Sequence, residues 1–178
     1  MIKRIMIMGR SGSGKSTFAY QLQQKMKLPL HHLDKYFFTD FWVERDYQQF
    51  LDIQQSLVAQ EQWIIDGNAI QSFEMRYKRA QICIYFNFPK YLCFWRVFRR
   101  FCFKDKRIDD RPENCPETIS WSLIKYMWNF EHRVAPILSR LKSDYPKVCF
   151  VEVCSDRDLK HIDKLLGLKR QQRITEFD

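Results

Sequence analysis

Short apolar runs alternate with segments of helical periodicity along the chain. The runs are bounded by polar, glycine or proline residues, which predicts five strands, at residues 3–8, 28–33, 63–66, 82–88 and 147–153. The segments between them space their apolar residues three or four apart, which predicts helices at residues 15–26, 46–60, 70–79, 90–101, 116 to beyond 128, and 156–166. This alternation favours an α/β fold, in which helices cover both faces of a parallel sheet.

Local signals refine the helix boundaries and the domain. Asp46 followed by Gln49 matches a capping pair at the start of the second helix. Pro116 suits the first turn of the long helix, and Pro136 is predicted to kink or end it. With 178 residues, 46% of them apolar, the chain can form one packed domain. We place this domain at residues 1–167 and a polar tail at residues 168–178.

The glycine-rich loop between the first strand and the first helix carries the clearest chemistry. Residues 9–16 read Gly-Arg-Ser-Gly-Ser-Gly-Lys-Ser, a pattern that binds phosphates when it joins a strand to a helix. Its glycines let backbone N–H groups approach a polyphosphate, Lys15 reaches the outer phosphates, and the Ser16 hydroxyl binds Mg²⁺. The predicted nucleotide-binding residues are Gly9, Arg10, Ser11, Gly12, Ser13, Gly14, Lys15, Ser16 and Thr17. The alternative is a Ser/Gly turn that matches by coincidence.

Two aspartates follow predicted strands, where the ligands of open α/β sheets bind. Asp34 comes after the second strand and can bind Mg²⁺ through water, accept a substrate hydroxyl or act as a base. Asp66 ends the third strand in Trp-Ile-Ile-Asp-Gly-Asn, where phosphate-loop enzymes place a second metal contact. Asp34, Asp66 and Ser16 are therefore the predicted metal ligands. The alternative for each aspartate is a turn residue.

Most of the net charge of +9 lies in one stretch. Residues 76–111 hold eleven basic and three acidic side chains, which gives this stretch a net charge of +8. Such a stretch suits a polyanion, which can be the phosphates of a nucleotide, a phosphorylated substrate or nucleic acid. Aromatic residues alternate with the arginines here, and they can either stack on unpaired bases or fill a buried helix face.

The arginines of this stretch are candidates for contact with phosphates. Arg96 and Arg100 share one helix face, with Arg99 beside them, and at least one of the three is expected to face the phosphates. The polar segment 102–115 is predicted to be a lid that closes over the transferring group; the alternative is a solvated basic loop. The predicted catalytic residues are Lys15, Asp34, Arg96, Arg100, Arg107 and Arg111.

A dense aromatic cluster follows Asp34. Its members are Tyr36, Phe37, Phe38, Phe41 and Trp42. They can stack on a base or ring, or pack a substrate-side subdomain, which we place at residues 34–62.

The cysteine spacing and the lengths of the apolar runs indicate the class of protein and its expected location. Six cysteines form no Cys-x-x-Cys pair, which predicts reduced core thiols rather than disulfides or a zinc site. No run approaches the roughly 18 apolar residues that cross a membrane, and residues 1–8 lead into a strand rather than resembling a signal peptide. We therefore expect a cytoplasmic protein without a membrane partner.

These motifs together resemble the nucleotide-kinase group of phosphate-loop proteins, which includes adenylate and shikimate kinases. The resemblance implies a P-loop NTPase fold of three layers, a sheet in the order 2-3-1-4-5, a lid and a substrate-binding subdomain. Four segments are similar to FlaR-related proteins described as DNA topology modulation proteins, namely residues 28–34, 63–68, 89–100 and 128–130. That family name implies a DNA phenotype, whereas the residues imply a small-molecule kinase.

The chain departs from the adenylate-kinase pattern after Asp66. That pattern reads Asp-Gly-Phe-Pro-Arg, but here Asn68, Ala69 and Ile70 follow Gly67, so its substrate-binding arginine is missing. Arg76 is one candidate to replace it. By the same resemblance, the segment 155–157 lies where related kinases contact adenine, which makes Arg157 a candidate nucleotide contact.

Two functions follow from the sequence. The first is transfer of the γ-phosphoryl group of Mg·ATP to a small acceptor, with ATP or GTP left open as the donor. The second is a nucleic-acid-binding ATPase that uses the basic stretch at residues 76–111. The sequence favours the first and does not identify the acceptor.

Overall fold

A five-stranded parallel sheet forms the centre of the protein. The computed structural model describes residues 2–103, 115 and 120–166. The strands are β1 (Arg4–Gly9), β2 (Leu30–His32), β3 (Trp63–Asp66), β4 (Ile82–Phe86) and β5 (Cys149–Val153). They lie in the order β2-β3-β1-β4-β5, and all neighbouring pairs run parallel. The predicted α/β class is confirmed, and so is the strand order that the kinase resemblance implied.

Helices connect the strands in the described residues. They are α1 (Lys15–Met26), α2 (Asp34–Phe37), α3 (Tyr47–Ala59), α4 (Phe73–Tyr77), α5 (Lys90–Phe103), α6 (Trp121–Asp144) and α7 (Asp156–Leu165), with short 3₁₀ turns at Asp40–Trp42 and Ile70–Ser72. The Asp46 side chain accepts a hydrogen bond from the Gln49 amide, which confirms the predicted cap of α3. None of these described helices has the length and apolar content needed to cross a membrane.

Two predicted boundaries were wrong. Strand β2 is shorter than residues 28–33, because Leu33 already has helical backbone angles and leads into α2. The long helix begins at Trp121, with Ser120 as its N-cap, and not at Pro116. Of the two outcomes predicted for Pro136, a kink or an end, the end does not occur, because the helix continues to Asp144. Buried residues on either side of the proline, among them Phe130 and Leu138, hold both halves of α6 on the same core, and this packing outweighs the roughly 3 kcal/mol cost of an internal proline.

The two faces of the sheet carry separate cores, as the three-layer fold requires. Ile5 and Ile7 of β1 pack with α1, α5 and α7, whereas Met6 and Met8 pack with α3, α4 and α6. Successive strand residues point to opposite faces, so the continuous apolar run of β1 supplies both cores. The central strands are fully covered, which directs any ligand to the strand ends.

The cysteines are free thiols, as predicted, but not all lie in the core. Cys83 and Cys93 are buried, whereas Cys149 and Cys154 are exposed. Cys149 begins β5, and Cys154 follows its last residue. Strand β5 is at the edge of the sheet, where an apolar sequence run does not ensure burial.

Arg76 serves the fold and does not reach the strand ends. Its guanidinium is fully buried and donates hydrogen bonds to Gln54 Oε1, to Ser72 Oγ and to the Ala69 carbonyl oxygen. Burial lowers the pKa of Arg76 to about 9, so the group is still protonated at neutral pH. The hypothesis that Arg76 replaces the missing substrate-binding arginine is therefore wrong, because its donors bind α3 and the turn before α4.

Gln54→Leu should destabilise the protein by about 2–4 kcal/mol, because it leaves part of a buried cation without its acceptor. Chemical denaturation of the variant and the parent protein measures this loss. Gln55→Leu, at an exposed position of the same helix, is the control and should change the free energy of unfolding by no more than about 0.5 kcal/mol. Equal effects of the two substitutions would contradict the structural role of Arg76.

Candidate functional site

The glycine-rich loop, residues 9–16, leaves the carboxyl end of β1 and opens α1. Gly14 is the N-cap of α1 with φ +92°, a left-handed conformation that side chains rarely adopt. A Cβ placed on Gly14 would have one neighbour within 4 Å among the described residues, Arg96 Nη1 at 3.7 Å. The loop is therefore open beside a guanidinium, at the end of a helix whose amides attract anions.

Close contacts fix the loop from two sides. A Cβ on Gly12 would collide with the Cys93 carbonyl oxygen and lie 2.8 Å from Val97 Cγ2, so the loop backbone lies directly on α5. Asn68 binds the other side, since its Oδ1 accepts from the Gly9 amide at 3.1 Å and its Nδ2 donates to the Gly9 carbonyl at 2.8 Å. In the sequence, Asn68 stands out only as a departure from the adenylate-kinase pattern. Its role depends on the pairing of β1 with β3.

Lys15, Ser16 and Asp66 meet at the strand ends. Lys15 Nζ lies 3.7 Å from Asp66 Oδ1 and 3.3 Å from the Ser16 hydroxyl oxygen. Asp66 is 3% exposed, and its Oδ2 is 2.9 Å from Nδ1 of His32, which is also buried. His32 was not among the predicted site residues, because its pairing with Asp66 comes from the register of β2 against β3.

Charge and hydrogen bonding keep Asp66 ionised. Burial by itself would raise the pKa of its carboxyl group, but the Lys15 ammonium and the His32 hydrogen bond outweigh burial, and the net pKa is lowered. An ionised carboxylate only accepts hydrogen bonds, so His32 Nδ1 carries the proton of this pair. The site thus presents a fixed negative charge beside the lysine of the loop.

Arg96 is the predicted arginine that contacts the loop. Its Nη1 donates to the Ser13 carbonyl at 3.1 Å, and its guanidinium lies 4.9 Å from the centre of the Phe88 ring. Asp156 at the start of α7 is 3.9 Å from Arg96 Nη2. Arg99 is exposed, and Arg100 is half-buried. Arg96 is thus an arginine of α5 that contacts the backbone of the glycine-rich loop.

The Arg10 side chain points away from the open side of the loop. It is 2% exposed, donates to the carbonyl oxygens of Met127 at 2.9 Å and Phe88 at 3.2 Å, and lies 3.5 Å from Glu131. Its guanidinium therefore ties the loop to α6 and to the end of β4. The predicted nucleotide contact of Arg10 therefore applies to its backbone, which is part of the loop, and not to its side chain.

Asp34 stands at the start of α2, on the exposed side of the strand ends. The pKa of Tyr126, in α6, is raised by burial and, to a smaller extent, by the negative charge of Asp34. A hydrogen bond with Asn68 and the positive charge of Arg133 oppose this rise. Arg133 also lies 5.5 Å from the centre of the Tyr126 ring. These four side chains form a polar group, and one of them, Asn68, also binds Gly9.

The aromatic cluster mainly packs the segment after α2. Phe37 contacts Phe38 and Phe50, with ring centroids 4.7 and 5.1 Å apart, and Phe38 contacts Trp42 at 5.3 Å. Phe41 is 74% exposed. The packing interpretation of the cluster is thus favoured over stacking on a ligand.

The other predicted site residues are either exposed or outside the described part of the structure. Thr17 is exposed on α1, and Arg157 is exposed in the first turn of α7. The proposed lid at 102–115 lies outside the described residues, apart from residues 102, 103 and 115, and this includes Arg107 and Arg111. The tail at 168–178 lies outside them as well. Within the described lid residues, the buried Cys115 accepts a hydrogen bond from the Trp42 amide and donates to the Thr39 carbonyl.

The residues present fit a magnesium ion bound with a nucleotide. In the described part of the chain, Asp66 Oδ1 is buried and has no hydrogen-bond partner of normal geometry. The Ser16 hydroxyl approaches the same carboxylate closely enough to help lower its pKa. The described residues hold no group of three His, Cys, Asp or Glu side chains that would bind a metal by themselves. Mg²⁺ with nucleotide phosphates needs only one or two protein ligands, so Asp66 and Ser16 suffice.

Comparisons with known proteins identify the fold. No protein-family model matches the sequence, and no curated protein matches it either, so the resemblance to DNA topology modulation proteins has no support from sequence comparison. Solved structures do match. A shikimate kinase from Acinetobacter baumannii in complex with shikimate shares 16% identity over 94% of this chain and 94% of that chain, with a TM-score of 0.53.

Two further structures agree with this result. A shikimate kinase from Bacteroides thetaiotaomicron shares 18% identity over 94% of this chain and 100% of that chain, with a TM-score of 0.56. A sugar kinase from Janibacter sp. HTCC2649 shares 12% identity over 94% of this chain and 96% of that chain, with a TM-score of 0.53. At these identities the similarity establishes the P-loop kinase-like fold alone.

Gly12→Ala should destabilise the protein more than Gly14→Ala. Both glycines have positive φ, at +78° and +92°, so each alanine carries about 1 kcal/mol of backbone strain. Only at Gly12 does the added methyl group meet α5, which should cost roughly a further 1–3 kcal/mol. Thermal or chemical unfolding of the two variants measures the difference, and an equal loss in both would show that the loop does not lie on α5.

Proposed function

We propose that the protein is a phosphotransferase that moves the terminal phosphoryl group of ATP, bound with Mg²⁺, to a small hydroxylated acceptor. The observation that carries this proposal is the meeting of Lys15, Ser16 and the ionised Asp66 at the N-terminus of α1. Phosphoryl transfer needs positioning and charge neutralisation more than covalent chemistry, and this group offers both. The kinase fold of the structural neighbours supports the same reaction class.

On the donor side, each residue has a role that its position supports. Backbone N–H groups of the glycine-rich loop bind the phosphates, and Lys15 neutralises charge on the outer ones. Arg96 lies beside the open side of Gly14 and adds a second positive charge there. Ser16 and Asp66 would hold Mg²⁺, which when bound neutralises negative charge that spreads over the transferring group.

On the acceptor side, Asp34 orients the attacking hydroxyl and accepts its proton. The raised pKa of Tyr126 keeps its hydroxyl neutral, so Asp34 faces a hydrogen-bonding group rather than a second anion. Water-mediated contact of Asp34 with Mg²⁺ remains its alternative role. One structural neighbour is a shikimate kinase in complex with shikimate, and hydroxylated acids of this kind belong in the first set of acceptors to test.

Lys15→Met should reduce acceptor-dependent ADP formation at least about a hundredfold, because it removes a charge that stabilises the transition state. The assay supplies Mg·ATP with a panel of nucleosides, nucleotides and small hydroxylated metabolites, including shikimate. Lys25→Met, in the last turn of the same helix, is the matched control and should keep full activity. Transfer that persists in Lys15→Met would remove the glycine-rich loop from the reaction.

A second candidate, a nucleic-acid-binding ATPase, is favoured by one surface. On α5, Tyr91, Trp95 and Phe98 are 77%, 60% and 53% exposed, so these aromatics do not fill a core. The helix has no acidic residue, and it carries Arg99 on an exposed position and Lys90 on a half-buried one. Exposed aromatic rings among cations are what unpaired bases stack on.

Under this second candidate, replacing both Trp95 and Phe98 with alanine should weaken binding of single-stranded DNA at least about tenfold, through lost stacking. Fluorescence anisotropy of a labelled oligonucleotide at fixed salt measures this affinity. The paired control, Arg99→Ala, should instead lower the salt dependence of binding. Turnover that depends on a small acceptor and ignores DNA would decide for the kinase, whereas turnover stimulated by DNA alone would decide against it.

A further inference from the structure

The contact between His32 and Asp66 joins two strand ends at the centre of the proposed site. His32 is the last residue of β2, Asp66 is the last residue of β3, and the two are direct partners in the parallel ladder. Both side chains are buried, and His32 Nδ1 lies 2.9 Å from Asp66 Oδ2. The Leu33 amide also donates to the Asp66 carbonyl oxygen at 2.8 Å, so backbone and side chain fix the same junction.

This hydrogen bond gives the two carboxylate oxygens of Asp66 different neighbours. Oδ2 is held by His32, which leaves Oδ1 on the side of Lys15. The last torsion of an aspartate side chain is broad, so the carboxylate plane needs a partner to fix it. Lys15 Nζ, at 3.7 Å, lies beyond normal hydrogen-bond distance and does not provide that constraint.

We propose that His32 is a positioning residue that orients Asp66 so that Oδ1 faces the magnesium position and does not close on Lys15. This inference rests on the proposed function. A carboxylate without the histidine would turn toward the lysine, and the resulting tight ion pair would occupy both the metal ligand and the phosphate-binding cation. Donors behind a metal ligand typically change metal affinity 10- to 100-fold when removed.

An imidazole suits this role better than a longer basic side chain. A lysine or arginine carries several N–H donors, which can bind both carboxylate oxygens at once. The Nδ1–H group of His32 donates one hydrogen bond, to Oδ2, and leaves Oδ1 for a metal ion. The adjacent His31 has a different partner, the Tyr36 hydroxyl 3.0 Å from its Nδ1, and therefore provides a matched comparison.

The test measures how strongly Mg²⁺ and ADP bind together, with no acceptor present. Calorimetric titration gives the Kd of ADP with Mg²⁺ and with EDTA, and the ratio of the two is the metal coupling. His32→Leu should reduce this coupling at least about tenfold and change the metal-free Kd by less than about twofold. His32→Asn should retain most of the coupling, because its amide nitrogen occupies nearly the place of Nδ1. His31→Leu should match the parent protein.

Three results would overturn the proposal: full coupling in His32→Leu, an equal loss of metal-free ADP affinity, or failure of the asparagine to preserve the coupling. A parent protein whose ADP affinity ignores Mg²⁺ would overturn it as well. Thermal unfolding checks that each variant is folded, and His32→Val, which suits a strand, replaces the leucine variant if that one is not. Coupling that is intact in a protein unable to phosphorylate any acceptor would refute the transfer reaction and leave the role of His32 standing.

Discussion

The close approach of the glycine-rich loop to its neighbours is the constraint on which the site depends. Gly9 pairs in register with Phe86 on β4, and a Cβ there would lie 2.6 Å from the Phe86 side chain. Asn68 satisfies both backbone groups of Gly9 from the β3 side, and Gly12 lies on α5. Since the loop is held on several sides, it does not have to be ordered by its ligand, and less binding energy is lost to that ordering.

Burial separates the charged side chains into two groups with different roles. Arg10 and Arg76 are almost fully buried, and their guanidinium groups bind carbonyl, amide and hydroxyl oxygens that join helices and strand ends. Asp66 is equally buried, but its charge is balanced by Lys15 and the His32 hydrogen bond, and one oxygen remains without a donor in the described structure. A buried charge with incomplete hydrogen bonding is costly, which makes it a reasonable indicator of a binding site.

The basic stretch at residues 76–111 shows why a charge count cannot locate a site. Its net charge of +8 includes Arg76, which is inside the core, Arg96, which contacts the glycine-rich loop, and Arg99, which faces solvent. The apolar residues of the same stretch divide in a similar way, because Cys93 and Val97 face the core while Trp95 and Phe98 do not. Helical periodicity predicted a helix here, but the face that it buries is set by the sheet on which it packs.

The sequence by itself determined the alternation of strands and helices, the glycine-rich loop and the strand-end positions of Asp34 and Asp66. These features are local, because periodicity, glycine spacing and the residue that ends a strand can be read within a few positions. Only the tertiary structure decided that His32 meets Asp66, that Asn68 binds Gly9 and that Arg10 points into the core. His32 and Asp66 are 34 residues apart, and Gly9 and Asn68 are 59 residues apart. Arg10 is 117 residues from Met127, whose carbonyl oxygen it binds. Their contacts depend on which strands are neighbours and in what register, and no local pattern in a single sequence encodes that.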